Sequence, residues 1–330
     1  MKVIIMHISL SKFLQLRFNV FLYKRLSWGV AFLYIIILGK LYFFFNRKEK
    51  RRIEEAIETV FKGLRSRYEM KTIKKNVFQG IISHYYEKLF NAFSSAEMLE
   101  DFFHRNMESE GLNVIEEGLG IGKGVLLITA HFGGVEFTPG YLAAKNYPVT
   151  TIVRFSSNYL RDISIKKAEE FSAKIIDADS TSNIMKAIYD SLKENRIVIT
   201  HCDEIDEWRP SHHKNVLFLG KKINLDRTID ILLKRGNTSI VFCVINRNSK
   251  HRYKFIANSW EEMARQFSRR GDMSIGEVVV KFLERYIYKY PEEWYQWKKY
   301  PDIRTPHAPG TKVEIPKSPS LVKPAFSRIS

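Results

Sequence analysis

One stretch of this 330-residue chain sets a histidine, two glycines and a carboxylate directly after an apolar run. It reads Leu126-Leu127-Ile128-Thr129-Ala130-His131-Phe132-Gly133-Gly134-Val135-Glu136. An imidazole is the side chain best suited to take a proton near neutral pH. A carboxylate five residues on, across a Gly-Gly turn, could fold back to hold that imidazole, fix its tautomer and stabilise the imidazolium. No Ser or Cys lies nearby, so attack by an external hydroxyl is the simplest chemistry, with His131 as general base and Glu136 as its partner. The spacing alone is unspecific. With nine histidines in the chain, a Glu five residues on arises by chance roughly half the time. His201 has Asp206 at the same spacing. The bland alternative is a structural histidine at a strand–helix junction.

Other candidates carry their own bland readings. Arg154 follows the apolar run Val149–Val153 and could bind a phosphate or steady developing negative charge. It could equally be a salt-bridged surface residue. His201, Cys202, Asp203, Glu204, His212 and His213 cluster in sequence, but their spacing fits no common zinc pattern, so no metal is expected. Cys202 as a nucleophile needs a paired base and a lowered pKa, and an inert thiol is the simpler reading. Asp203 alone reads as a strand-end cap, and Asn158 as a helix N-cap.

The elements that must position these residues follow from periodicity. Short β-branched runs occur at 124–129, 149–153, 173–176, 196–200, 239–245 and 252–258. Helical spacing occupies roughly 51–67, 71–92, 133–145, 158–172, 182–194, 226–235 and 274–290. A capping box at Ser94–Glu97 opens a further helix through Phe103. Alternation of strands and helices predicts an α/β fold: a mostly parallel central sheet flanked by helices. Composition divides the chain into an N-terminal anchor (1–46), an α/β domain (47–300) and a Pro-rich basic tail (301–330) holding six of the ten prolines.

Charge narrows the partners. The formal net charge is +17, which calls for an anionic partner. Residues 1–52 hold eleven Lys/Arg and one acid, and the first Asp is Asp101. The same stretch is the greasiest. Trp28 to Phe45 is eighteen residues with one charge, Lys40. A helix of that length, at about 1.5 Å per residue, roughly matches a ~30 Å hydrocarbon core. The reading is an N-terminal membrane-associated helix, spanning or re-entrant, against the alternative of a buried helix. The basic flank at 47–52 would keep the following domain on the cytoplasmic side of the inner membrane. Basic residues beside a greasy segment favour an anionic membrane over nucleic acid, and no aromatic pattern of a nucleic-acid module is present. Two cysteines fit a reducing compartment. The competing functional class is a non-catalytic basic protein of the membrane surface. The aromatic cluster from Tyr286 to Tyr300 suits a membrane interface or a core equally well, and the basic run from Arg209 to Lys222 could face anionic lipid or an acidic carrier protein, although a solvated loop is the usual outcome.

Several ordered blocks together carry a resemblance. Ala130-His131-Phe132-Gly133-Gly134-Val135-Glu136 resembles the H-x4-D/E signature of the lysophospholipid acyltransferase superfamily, in particular the bacterial lipid A biosynthesis (lauroyl/myristoyl) acyltransferase family. Arg154-Phe155-Ser156-Ser157-Asn158 resembles its second block, and Val198 to Glu204 its strand ending in Asp-Gln, with Glu204 in place of Gln. Leu217-Phe218-Leu219-Gly220 resembles the Phe-Phe-Gly block, and Pro291 to Trp297 the closing segment. Ser172 stands where a helix-ending Gly is usual. The resemblance covers roughly residues 28–300. It implies acyl transfer from acyl carrier protein or a coenzyme A thioester to a hydroxyl of a lipid acceptor, without a cofactor. It implies His131 and Glu136 as catalytic residues and Arg154, Asp203, Gly133 and Asn158 in the substrate site.

Overall fold

The computed structural model describes residues 10–14, 19, 21, 28–155, 157–204, 210–236, 238–249, 252–267 and 273–303. The expected tail beyond Ile303 lies outside them. Among the described residues nine strands are present: β1 (Met107–Glu110), β2 (Val125–Thr129), β3 (Val149–Val153), β4 (Lys174–Asp177), β5 (Ile197–His201), β6 (Pro210–Phe218), β7 (Lys221–Asp226), β8 (Ser239–Ser249) and β9 (Arg252–Ser259). Seven form one sheet in the order β1-β9-β8-β2-β5-β3-β4. Every neighbouring pair in it is parallel except β8–β9, which is antiparallel. β6 and β7 form a separate antiparallel hairpin.

β2 is central, and all five of its residues are buried. That is the expected state of an unbroken apolar run in a sheet covered on both faces. The expected strands are all present. Two elements add to them. β1, Met-Glu-Ser-Glu, exposes three of its four residues on the sheet edge, so it lacks an apolar pattern. The Arg209–Lys222 run, expected as a loop, is largely the β6–β7 hairpin. Its turn places Leu219 (φ 49°) and Gly220 (φ 80°) in the left-handed region that tight hairpins require.

The helices are α1 (Leu10–Leu14), α2 (Trp28–Phe45), α3 (Arg47–Phe61), α4 (Arg67–Phe93), α5 (Ala96–Asn106), α6 (Leu112–Gly120), α7 (Thr138–Ala144), α8 (Asn158–Glu170), α9 (Ile184–Lys193), α10 (Thr228–Gly236), α11 (Trp260–Arg265) and α12 (Ile275–Lys289). A true capping box, Ser66 with Glu69, starts α4. The box expected at Ser94–Glu97 is instead a simple cap, with Ser95 accepting from the Met98 N–H. The cap of α8 is likewise Ser157 rather than Asn158. Ser172, just past the end of α8, adopts φ 52°, the conformation that makes glycine natural there.

The anchor segment differs from a straight span. Among the described residues no single helix is long and apolar enough to cross a membrane. Gly29–Phe45 and Arg47–Phe61 together have the length and composition of a broken or re-entrant span, and they meet at 93°. One face of α2 packs through Ala31, Ile35 and Phe43 into the core. The other presents Val30, Leu33, Ile37, Leu41 and Phe44, each 46–62% exposed. These positions recur every three or four residues, so they form one apolar stripe. α3 ties this region to the C-terminal segment, because Arg52 donates to the Lys298 carbonyl at 2.8 Å and pairs with Asp302. Trp294 and Trp297 are fully buried, so this part of the aromatic cluster is core.

Candidate active site

Strand register brings the two central residues together. β2 and β5 run parallel with Thr129 opposite His201. His131 and Asp203 each lie two residues past that pair, so both project from the same sheet edge. Ligands of open α/β sheets bind at this carboxyl end. Cys202 N–H donates to the Thr129 carbonyl at 2.8 Å, which keeps the two strand ends in step.

Asp203 is 1% exposed, and donors surround it. It accepts from the His131 backbone N–H (3.0 and 3.1 Å) and from the Trp294 indole (2.8 Å), and its Oδ1 lies 2.9 Å from His131 Nδ1. The other ring nitrogen, Nε2, lies 3.1 Å from Glu204 Oε1. Burial pushes the His131 pKa down, but the two carboxylates outweigh it and raise it to about 9. Burial likewise opposes ionisation of Glu204, yet His131 holds its pKa down at about 2. Asp203 is lowered against its own burial by the same imidazole. His201 stacks on His131 with ring centroids 4.6 Å apart, and Tyr295 meets the ring edge-on at 4.9 Å. Burial, then the neighbouring imidazolium, lowers His201 to about 4.

Glu136 is elsewhere in the same pocket. Its Oε1 lies 3.4 Å from Lys88 Nζ and 3.5 Å from His84 Nε2, and it is outside ion-pairing distance of His131. The carboxylate on Nδ1 of the imidazole is Asp203, where the sequence reading expected Glu136. The reason is geometric: Glu136 lies in the short 3-10 turn Val135–Phe137 leading into α7, which carries it away from Nδ1. His84 and Lys88 sit one turn apart on α4. Nothing local in the sequence marks them, because the face they share is defined only by what packs on it.

The turn between β2 and α7 is held by main-chain bonds. His131 N–H goes to Asp203, Phe132 N–H to Ala130 O, Gly133 N–H to Glu293 O and Gly134 N–H to Ile245 O. Gly133 has φ 58°, and a Cβ there would lie 1.7 Å from the Ile245 carbonyl oxygen. Only glycine fits. Below it lies a buried ionic cluster. Arg247 pairs with Glu87 (2.6 and 2.8 Å) and Glu293 (2.6 Å), and also donates to the Gly133 carbonyl at 2.9 Å. Tyr253 donates to Glu87 at 2.9 Å. Sequence reasoning missed this cluster, since Glu87 and Arg247 are 160 positions apart.

A pocket of about 420 Å³ opens beside His131. Its polar lining includes His131, Glu136, Lys88, Arg154, Lys167, His201, Glu204 and Tyr295. Leu89, Phe93, Val135, Ile152, Val153, Leu160, Phe171, Ile175 and Ile199 supply an apolar part between α4, α7, α8 and the β3–β4 edge. Arg154 lies just past β3, with its Nε 3.0 Å from Asp179 Oδ1. Gly133 and Asn158 are not among the lining residues. The first shapes the turn, and the second is exposed on the opening turn of α8. A second cavity, of about 600 Å³, is lined by Lys123, Asn183, Lys186 and Tyr189 among others. Among the described residues no cluster of His, Cys, Asp and Glu could hold a metal ion. Burial raises the thiols of Cys202 and Cys243, the latter to about 12, so neither is an activated nucleophile.

A histidine at the carboxyl end of the sheet, held by a buried aspartate, opens on a largely apolar pocket. The model of the bacterial lipid A biosynthesis acyltransferase family matches residues 25–299, and the chain belongs to that family. A comparison with curated proteins finds no match.

Proposed function

We propose that this protein is a membrane-bound acyltransferase. It moves a fatty acyl group from acyl carrier protein or a coenzyme A thioester to a hydroxyl of a lipid A precursor or a related lysolipid or glycolipid. The observation that carries this reading is the buried Asp203 on His131 Nδ1, with the ring edge facing a pocket of mixed apolar and cationic lining.

In this reading Asp203 fixes the tautomer, so that Nε2 is the nitrogen that takes the proton of the acceptor hydroxyl. The oxygen attacks the thioester carbonyl and a C–O bond forms. The tetrahedral intermediate then expels the thiolate, which takes the proton from the imidazolium. The four N–H groups from His131 to Gly134 are engaged within the fold, so side chains rather than that turn meet the negative charge on the carbonyl oxygen. Lys88, Arg154 and Lys167 are cations lining the pocket, and Lys167 donates to the Asn91 and Ala92 carbonyls. Glu136 keeps Lys88 turned toward the site, a role distinct from holding the base. Arg154 suits a phosphate of the acceptor or donor. The apolar lining takes the acyl chain.

The exposed stripe of α2, next to the basic residues at 47–52, supports seating in an anionic bilayer at its cytoplasmic face. A helix apolar all round needs an apolar surrounding on its outer face as well as its inner one. Mass spectrometry of membrane lipids with and without the gene tests the function. A lipid lacking one acyl chain in the deletion names the acceptor, and an unchanged lipid profile overturns the reading.

A further inference from the structure

We propose that Glu204 occupies the place of the acceptor hydroxyl in the resting protein, clamping His131 as an imidazolium between two carboxylates, and that acceptor binding must displace it. This rests on the reading of His131 as the base.

The two carboxylates on the ring are unlike. Asp203 is sealed in and fixed by the Trp294 indole and the His131 backbone N–H as well as by Nδ1. Glu204 lines the pocket, its side chain is 38% exposed, and its Oε1 lies 3.1 Å from His131 Nε2. An imidazolium whose two N–H groups both point at carboxylates has no lone pair left to accept a proton. The atom that would do the chemistry is thus the atom Glu204 covers. When Glu204 leaves, it departs as a carboxylate; the imidazolium loses one of its two anionic partners and its Nε2 proton passes to water. What remains is a neutral imidazole with Nδ1–H on Asp203 and an open Nε2.

The other groups around the ring do not hold it charged. From β5, His201 stacks on it and stays neutral. From the C-terminal segment, Tyr295 meets it edge-on, and burial keeps that phenol protonated. From α4, His84 is kept neutral by burial and Lys88, while Lys88 is pulled toward its charged form by Glu136. Lys299 favours the charge on Glu204. Arg247 is tied to Glu87 and Glu293 beneath the turn. Glu204 is therefore the removable contributor to the charge on His131.

The test uses the full chain in detergent micelles with ¹⁵N-labelled histidine. His131 resonances are assigned by their loss in H131Q, and the ring is titrated in wild type, E204Q and E204D. Acyl transfer from lauroyl- and palmitoyl-coenzyme A to an extracted membrane lipid mixture is followed over the same pH range. We expect His131 to titrate lower in E204Q by at least about one pH unit. The acid limb of the rate profile should move with it, raising turnover at neutral pH up to roughly tenfold. E204A, which also removes the carboxylate, is titrated in place of E204Q if E204Q does not fold, with the same shift expected; E204D should titrate higher than either. An unshifted His131 titration in E204Q, or turnover at neutral pH below wild type, overturns the clamp. A shifted titration with no acyl transfer by any of the proteins supports the clamp and overturns the proposed reaction instead.

Discussion

The Trp294 indole N–H donates to Asp203 Oδ2 at 2.8 Å, although the two residues are 91 positions apart in the chain. The closing segment of the domain thereby reaches the carboxylate behind His131. Phe132 and Trp294 also form a backbone bridge, and Tyr295 N–H donates to the His131 carbonyl at 3.2 Å. W294F keeps an aromatic ring but removes the donor to a buried carboxylate, which costs about 1.5–3 kcal/mol. Turnover should fall with KM little changed, because Asp203 is left less firmly aimed. Steady-state kinetics with urea denaturation of the same preparation checks both halves of the expectation.

The two carboxylates proposed for the site make separable predictions. D203N offers Nδ1 a donor in place of an acceptor and favours the wrong tautomer, so kcat should drop on the order of 10³–10⁴-fold. E136Q loosens Lys88 without touching the ring, and its loss should be roughly tenfold to a hundredfold. Equal losses in the two variants would return Glu136 to the role of partner to the base.

Gly133 lies between His131 and the Arg247 cluster. G133A forces a side chain into φ 58° and into the Ile245 carbonyl, so the turn must move. We expect a loss of roughly 3 kcal/mol or more of stability and near-complete loss of turnover. G134A meets only side chains, of Tyr253 and Ile245, at 3.0–3.2 Å, and should be the milder change. Thermal denaturation of the pair, run side by side, ranks them.

Stability should fall as the solution becomes alkaline. His131 has a folded pKa of about 9 against 6.5 unperturbed. Its contribution is fully present below 6.5 and is lost as pH rises through 9. Glu293 adds to the trend. Burial, opposed by Arg247, leaves it at about 7 against 4.5, so folding favours its protonated form and that advantage is lost between 4.5 and 7. On the acid side Glu204, held at about 2, stabilises above 4.5 and loses that contribution as pH falls through 2. The urea midpoint should therefore decrease between pH 6.5 and pH 9. H131Q should flatten that slope, and a slope that survives in H131Q would assign it to another group.

The strand before His131 and the helices after it were legible because apolar runs and glycine turns are local signals. The α/β alternation was legible for the same reason. The partner of the imidazole was not. Which carboxylate meets Nδ1 depends on β2 pairing with β5 in one register, and a slip of a single residue would aim Asp203 to the other face. The β1 strand escaped notice because an edge strand exposed at three of its four positions has no alternation to read. Ser94-Ser95 offered two adjacent caps, and the structure uses the second. Arg154 and Asp203 stood out only through the ordered blocks of the resemblance, since a lone Arg or Asp at a strand end has many ordinary uses. The Glu87–Arg247–Glu293 cluster had no sequence signal, being assembled from α4, β8 and the closing turn.

The account rests on His131 as the proton acceptor, and the most direct test is turnover by H131A. Purified wild-type and H131A proteins, equally folded by circular dichroism, are given the same thioester and lipid acceptor. We predict a loss of at least about 10³-fold in kcat for H131A. Acyl transfer within a few-fold of wild type would contradict the account.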